Sequence, residues 1–261
     1  MIRVGIGGWN FAPWRGTFYP KALKQADELS YASRHLTTIE INGTFYRTQS
    51  AASFKKWRSE TPDDFVFSIK GHRAVANAKK LAETSEPIDW FFKSGVLELG
   101  EKLGPFLWQL PPFRKFDPDD IGAFLKLLPR KQGDTQLRHV LEVSHQSFLS
   151  PDFVALLRNE NTAVAYLDKD GVTGIPDVTA DFLYLRLQKT SEEEKTGYAS
   201  KELDLWAKRA KAWESGDAPA DLPAIEKKTA AKTKRPVFTY MISGAKVRAP
   251  AAATALLERV K

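Results

Sequence analysis

Eight short apolar segments recur along this 261-residue chain, and most are followed by a segment with helical periodicity. Strands that alternate with helices favour a parallel sheet, whose strands are buried on both faces and are therefore apolar. Eight such units in a chain of this length match a (β/α)8 TIM barrel, an α/β fold that would form one domain over residues 1–261. An open doubly wound sheet is the alternative. The predicted strands are 4–9, 38–42, 65–70, 106–110, 140–143, 163–167, 182–187 and 237–242.

The helical patterns fall between these strands, at 22–36, 51–60, 88–103, 118–128, 151–159, 201–213 and 249–260. Little helical pattern follows the sixth strand. The first strand contains Gly5-Ile6-Gly7-Gly8, which superficially suggests a dinucleotide loop. The GxGxxG spacing fails because position 10 is Asn, and the segment continues into Trp and Pro rather than a helix start. We therefore reject a dinucleotide-binding fold.

Charge and cysteine content restrict the classes of function. The net charge is +7, but the basic residues are dispersed, which favours a small anionic molecule over nucleic acid as the partner. The densest basic run, which includes Lys227 and Lys228, lies in a predicted flexible surface excursion at 216–235. No cysteine is present, which excludes disulfides and thiolate sites. With no apolar run long enough for a membrane span and no secretory pattern, we expect a cytoplasmic protein.

Polar side chains concentrate where the predicted strands end. On the second strand, Glu40 and Asn42 share a face that would otherwise be apolar, which is costly unless they join a polar network or line a pocket. In a barrel, the carboxyl ends of the strands build the active site. The polar and aromatic residues expected at this end for substrate binding are Trp9, Asn42, Thr44, Tyr46, Arg47, His72, Gln109, Arg186 and Tyr240, and the candidate catalytic residues are Glu40, Lys70, Glu142 and His145.

Three interpretations of these residues remain open. Glu40 and Glu142 could exchange protons as acid and base if their environments separate their pKa values. Glu40 could equally be a buried structural partner of Lys70 or Arg186. A metal set built from Glu40, His72, Glu142 and Asp168 is conceivable, although no two of these residues show a ligand spacing. The sequence does not identify a cofactor or an oligomeric state.

The loop after the eighth strand favours an anion site. Ser243, Gly244 and Lys246 precede a helix that begins near Pro250, and Lys189 follows the seventh strand. Backbone amides at a helix N-terminus attract anions, and barrels often bind phosphate at these last two loops. An ordinary glycine-containing loop with solvated basic residues is the alternative.

Several motifs occur in the order GIGGW, EINGTFYR, FVFSIKGHR, LWQLPPF, LEVSHQSF and YLRL. Together they resemble the YecE-like family, known as domain of unknown function 72, over nearly the whole chain. The resemblance implies a TIM barrel and no established activity. It places Glu40 to Arg47, Lys70, Gln109, Glu142, His145 and Arg186 in the motifs of that family.

The chain departs from the family pattern at three strand ends. A pattern that resembles Glu-x-Arg-His-x-Ser-Trp reads EVSHQSF from Glu142, so its arginine is replaced by Ser144. The expected His-Gly after the seventh strand is Gln188-Lys189, and Phe-Asn-Asn after the eighth is replaced by residues 241–243. We expect an enzyme that acts on a small polar or anionic molecule by carboxylate acid/base chemistry, with a non-catalytic ligand- or nucleic-acid-binding protein and a metal-dependent hydrolase or isomerase as alternatives.

Overall fold

A computed structural model describes residues 1–226 and 231–261 and confirms the predicted barrel. The strands are β1 Ile2–Gly7, β2 Thr38–Ile41, β3 Val66–Lys70, β4 Leu103–Gln109, β5 His139–Glu142, β6 Ala163–Asp168, β7 Leu183–Leu187 and β8 Val237–Met241. They are parallel and close in the order β1-β8-β7-β6-β5-β4-β3-β2, with β1 paired to both β2 and β8. All eight predicted strands are present, and no strand end differs from its predicted position by more than three residues.

Helices cover the outside of the barrel. They are α1 Glu28–His35, α2 Ala51–Glu60, α3 Arg73–Ala76, α4 Ser85–Lys93, α5 Pro118–Leu127, α6 Pro151–Asn159, α7 Ser200–Ser215 and α8 Ala249–Val260. Side chains accept hydrogen bonds at several N-termini, such as Ser50 at α2 and Asp117 at α5, which satisfies backbone amides that the helix leaves free. Residues 169–182, all of them described, contain no helix, as predicted.

Two predicted helices were too long. The pattern at 22–36 contains a 3-10 turn, Gln25–Asp27, before α1. The pattern at 88–103 is broken after α4 by Gly95, whose φ of 102° lies in the left-handed region. A Cβ on Gly95 would lie 2.6 Å from the Ala51 Cα, so only glycine fits there. A two-stranded hairpin, Lys131–Gln132 with Thr135–Gln136, was not predicted.

The barrel has an outer core and an inner core. The outer core lies between strands and helices and includes Trp14, Trp108 and Trp213, all fully buried. The inner core fills the barrel itself and consists of Leu107, Val140, Ala163, Ala165, Leu167, Phe182, Tyr184, Phe238, Tyr240 and Ile242. Because side chains alternate along a strand, the apolar inner layers carry polar residues above them on the same faces.

The connection from α7 to β8 is irregular where it is described. Asp177 accepts hydrogen bonds from the backbone amides of Ile225 and Glu226 at 2.9 and 3.0 Å, and Leu222 and Ile225 pack against the outer core. Residues 216–226 are therefore anchored to the barrel. Lys227 and Lys228 of the predicted basic run lie outside the described residues. Within the described ranges, no helix combines the length and apolar character needed to cross a membrane.

Candidate functional site

A cavity of about 670 Å³ opens at the carboxyl ends of the barrel strands. It is lined by residues from β1, β2, β3, β4, β7 and β8 or from the loops that follow them, by Lys169 directly after β6, and by Trp57 of α2. Its aromatic wall includes Trp9 and Trp57, whose rings meet edge to face with centroids 5.1 Å apart. The polar lining residues are Asn10, Asn42, Tyr46, Gln49, Lys70, Gln109, Lys169, Arg186, Gln188, Ser243 and Lys246.

The charged side chains that line this cavity are all cationic. They are Lys70, Lys169, Arg186 and Lys246, and no Asp or Glu lines the cavity in the part of the chain that the structure describes. A cavity lined by charges of one sign concentrates ions of the opposite sign. The arrangement can therefore bind an anion.

Lys70 ends β3 and is half-buried in the cavity wall. Its ammonium nitrogen lies over the ring of Phe45, 4.4 Å from the centroid. Its backbone carbonyl accepts a hydrogen bond of 2.6 Å from the Thr44 hydroxyl, which fixes the end of the strand. Burial, and then the positive charge of Arg186, lower the pKa of Lys70, although Glu40 and Glu142 act in the opposite direction. Within residues 1–226 and 231–261, Lys70 forms no ion pair.

Arg186 forms the centre of a buried ion network beneath the cavity. Its Nε and Nη2 donate to the two carboxylate oxygens of Glu40 at 3.1 and 2.9 Å, and its Nη1 donates to Glu142. Glu40 is fully buried and Arg186 is 3% exposed. Burial alone would lower the pKa of Arg186, but Glu142 and Glu40 raise it above its usual value. The predicted pairing of Glu40 with Arg186 is present.

Tyr184 completes the coordination of Glu40. Its hydroxyl donates to Oε2 of Glu40 at 2.7 Å, and burial followed by the Glu40 charge raises the pKa of Tyr184 well above its usual value. Glu40 therefore accepts three hydrogen bonds from protein groups. A fully satisfied buried carboxylate holds its partners in place.

Glu142 belongs to the ion network and also lines a groove beside the cavity. Its Oε1 accepts a hydrogen bond of 2.5 Å from the side-chain amide of Gln109. Glu142 also lines a groove of about 410 Å³, which shares Gln109 and Lys169 with the cavity and contains the exposed ring of Phe113. Of the two carboxylates, Glu142 is the one that lines this groove, although only 3% of its surface is exposed.

The structure brings together many of the predicted site residues. Those that line the cavity are Trp9, Asn42, Tyr46, Lys70, Gln109, Arg186, Ser243 and Lys246. Those that do not line it are Glu40, Thr44, Arg47, His72, Glu142, His145, Tyr240, Lys189 and Gly244. Glu40 and Glu142 accept hydrogen bonds from Arg186, which lines the cavity.

The two predicted histidines, His72 and His145, form hydrogen bonds within their own loops. Nδ1 of His72 accepts from the backbone amide of Ala74 at 3.1 Å, and Nδ1 of His145 accepts from the amide of Ser147 at 3.1 Å. Burial lowers the pKa of His72, whose ring packs edge to face on Trp90. Each histidine thus caps a short helical turn.

Other predicted residues have local partners. Lys189 lies 3.3 Å from carboxylate oxygens of both Asp168 and Asp170. The hydroxyl of Tyr240 is 2.8 Å from that of Thr38 and 2.5 Å from that of Ser68, inside the barrel. Lys189 is therefore paired outside the cavity and Tyr240 lies inside the barrel, so neither residue lines the cavity.

The conceivable metal ligands are not gathered at one point. Glu40 is occupied by Arg186 and Tyr184, Asp168 pairs with Lys189, and His72 caps a turn. Among the described residues, no group of three or more His, Asp or Glu side chains is arranged to hold a metal ion. These side chains therefore do not form a common ligand set.

Sequence reasoning missed several lining residues, among them Gln49, Trp57, Lys169 and Gln188. Lys169 and Gln188 directly follow β6 and β7, so the rule that strand ends build the site would have found them. Trp57 lies on α2, away from any strand end, and nothing in its local sequence marks it. Gln188 and Ser243 are also positions at which the chain departs from the family pattern, so these departures line the cavity.

A family model described as "Protein of unknown function DUF72" matches residues 3–261. The chain belongs to this family. Among curated DUF72-type relatives, UPF0759 protein YunF of Bacillus subtilis is 28% identical over 158 residues, covering 59% of this chain and 54% of YunF. UPF0759 protein YecE of Escherichia coli is 25% identical over 175 residues, covering 67% of this chain and 58% of YecE. The matches thus span little more than half the length of these relatives.

A crystal structure of a DUF72 family protein from Thermotoga maritima has the same fold, with a TM-score of 0.74 and 21% sequence identity. The superposition covers 98% of this chain and 97% of the Thermotoga chain. At this level of identity the likeness establishes the barrel and not the chemistry.

Proposed function

We propose that this DUF72 protein is an enzyme that binds a small anionic substrate in the barrel-mouth cavity. The observation that supports the proposal is the charge of the lining, since Lys70, Lys169, Arg186 and Lys246 are its charged side chains. Carboxylate and phosphate groups are the anions that lysine and arginine recognise best. Ser243, which precedes α8, and Ala249, its first residue, line the same wall.

We assign different roles to the two buried carboxylates. Glu142 lines the groove that adjoins the cavity, so it is our candidate for proton exchange with a bound substrate. Glu40 has no exposed surface and accepts three hydrogen bonds from Arg186 and Tyr184. We therefore assign Glu40 to positioning Arg186. This division keeps acid/base chemistry at the site but gives it to one of the two carboxylates.

Titration calorimetry at low ionic strength tests the binding step. The probes are inorganic phosphate, sulfate, oxalate and pyruvate, titrated into the wild type and two variants. Lys70→Met should weaken binding by about tenfold or more, because a hydrogen bond to a charged group contributes roughly 1.5–3 kcal/mol. Lys189→Met removes an equal charge from a lysine that pairs with Asp168 and Asp170 outside the cavity, so its affinity should stay within about twofold. Equal losses in both variants, or no binding of any probe, would reject the proposal.

A further inference from the structure

Lys70 differs from the other cations of the cavity in its surroundings. Arg186 is paired with two carboxylates. The ammonium of Lys246 lies 4.5 Å from the ring centroid of Phe11 on an exposed side chain, although partial burial also lowers the pKa of Lys246. Lys169 is exposed. Lys70 is half-buried, and over the described residues its ammonium has no hydrogen-bond acceptor and no carboxylate within ion-pair distance.

The position of Lys70 is fixed. It is the last residue of β3, its carbonyl accepts a hydrogen bond from Thr44, and its ammonium lies over the ring of Phe45. The next residue, Gly71, packs so closely on Trp108 that a Cβ would lie 2.2 Å from the indole. A lysine on a rigid strand end is placed reproducibly, whereas one on a loop is not.

A lysine in such surroundings has the properties of an amine nucleophile. Burial and a neighbouring cation favour the neutral amine, which is the form that attacks carbonyl carbon. Burial and Arg186 both act on Lys70 in this direction. The remaining cations, Lys169 and Lys246, line the same cavity and would hold an anionic group of a substrate.

We propose that Lys70 forms an imine with a small carbonyl compound that carries a carboxylate or phosphate group. This inference rests on the anion-binding function proposed above and names its substrate class as anionic aldehydes and ketones. Lys169 and Lys246 would hold the anionic group, and the carbonyl carbon would face the amine of Lys70.

The reaction balances without a redox partner. The nitrogen lone pair of Lys70 forms a bond to the carbonyl carbon, the carbonyl π electrons move to oxygen, and a proton passes from nitrogen to that oxygen to give a carbinolamine. The hydroxyl group then leaves as water after taking one proton from solvent. The product is a protonated imine, which withdraws electrons from the neighbouring carbon and so weakens its bonds to hydrogen, carbon or carboxylate.

The test is competitive labelling of the intact protein with glyoxylate, a small anionic aldehyde, in the presence of cyanoborohydride near neutral pH. The hydride reduces any imine to a stable secondary amine, and peptide mass mapping quantifies the label at every lysine. We expect Lys70 to be labelled at least about tenfold faster than Lys189 and Lys246, and excess inorganic phosphate to suppress the labelling of Lys70 selectively.

Lys70→Arg tests whether the adduct forms at Lys70, because arginine keeps the positive charge but cannot form this imine. The dominant adduct should disappear in Lys70→Arg and persist in Lys189→Arg, whose lysine pairs with Asp168 and Asp170 outside the cavity. Slow labelling of Lys70, or labelling that phosphate does not suppress, would overturn the imine proposal. If calorimetry still detects anion binding in that case, the proposed function stands without it. If neither adduct nor anion binding is found, both fail.

Discussion

Arg186 on β7 and Glu40 on β2 meet across the interior of the barrel, with Nη2 of the guanidinium 2.9 Å from Oε1 of the carboxylate and Nε 3.1 Å from Oε2. This two-point contact orients the guanidinium plane, and a third nitrogen reaches Glu142 on β5. Three strands that are not neighbours are thereby joined by one side chain. The pair also supports the floor of the cavity, since Arg186 lines it and Glu40 does not.

Replacing Arg186 should destabilise the fold strongly. Arg186→Met leaves Glu40 and Glu142 buried without their cation, and breaking a buried pair in this way costs about 3–5 kcal/mol. Urea unfolding followed by circular dichroism measures the free energy of unfolding. Arg47→Met is the matched control, because Arg47 is exposed at the same end of the barrel and its loss should change stability by less than about 0.5 kcal/mol. Equal effects of the two substitutions would show that the network is not stabilising.

Glu40→Gln should lower the stability of the fold without weakening the binding of an anion. The amide has the shape of the carboxylate but cannot accept two charged hydrogen bonds, so we expect a loss of about 1–3 kcal/mol in the free energy of unfolding. Because a negative charge next to the cavity is removed, affinity for oxalate should be equal to or higher than that of the wild type. A large loss of oxalate affinity with stability unchanged would instead place Glu40 in direct contact with the ligand.

His139 should make the fold sensitive to acid. It is fully buried, its Nδ1 accepts from the indole N–H of Trp108 at 3.2 Å, and its Nε2 is 2.7 Å from the carbonyl oxygen of Pro129. Burial lowers its pKa from 6.5 to about 3. The unfolded chain therefore takes up a proton below pH 6.5 that the folded chain excludes, so stability present above that pH is lost as the pH falls toward 3.

The variant that tests this is His139→Gln. It should be less stable than the wild type at neutral pH. The difference in the free energy of unfolding between the two proteins should shrink by roughly 2–3 kcal/mol when the pH is lowered to about 4.5. The exposed His35 provides the control, since His35→Gln should keep the wild-type pH dependence. Parallel stability–pH curves for the wild type and His139→Gln would contradict the assignment.

The contact between β1 and β2 should require glycine at position 5. A Cβ on Gly5 would lie 1.8 Å from the carbonyl oxygen of Thr38, its register partner, so Gly5→Ala forces the strands apart and should cost about 1–3 kcal/mol or prevent folding. Gly43→Ala is the control, because the nearest atom to its Cβ would be 3.9 Å away. Matching melting temperatures for the two variants would show that the close approach is not needed.

The sequence predicted the barrel because its strands are buried on both faces and therefore carry an apolar signal that does not depend on their partners. The ends of helices were less predictable where the backbone conformation of a single residue determines them. Gly95, with its left-handed φ, ends a pattern that hydrophobic spacing alone extends into β4. Local periodicity contains no information about such a break.

The positions of several candidate site residues could be predicted from the sequence, but the role of each residue could not. Strand ends identified Lys70, Gln109 and Arg186 as residues near one mouth, and the structure brings them to one cavity. Whether a polar residue faces the cavity or lies beneath it depends on contacts between distant strands. Glu40 is covered by Arg186, a residue 146 positions away, and no local pattern encodes that contact.

The central claim is that a small anion binds between Lys70 and Arg186. Anomalous diffraction from a crystal soaked in selenate locates the anion directly, because selenium scatters anomalously and selenate has the size and charge of a divalent oxyanion. We predict a selenium peak in the cavity within hydrogen-bond distance of the Lys70 ammonium, and its loss in Lys70→Met crystals under the same conditions. Selenium peaks confined to the outer surface, with the cavity holding none at saturating selenate, would contradict the account.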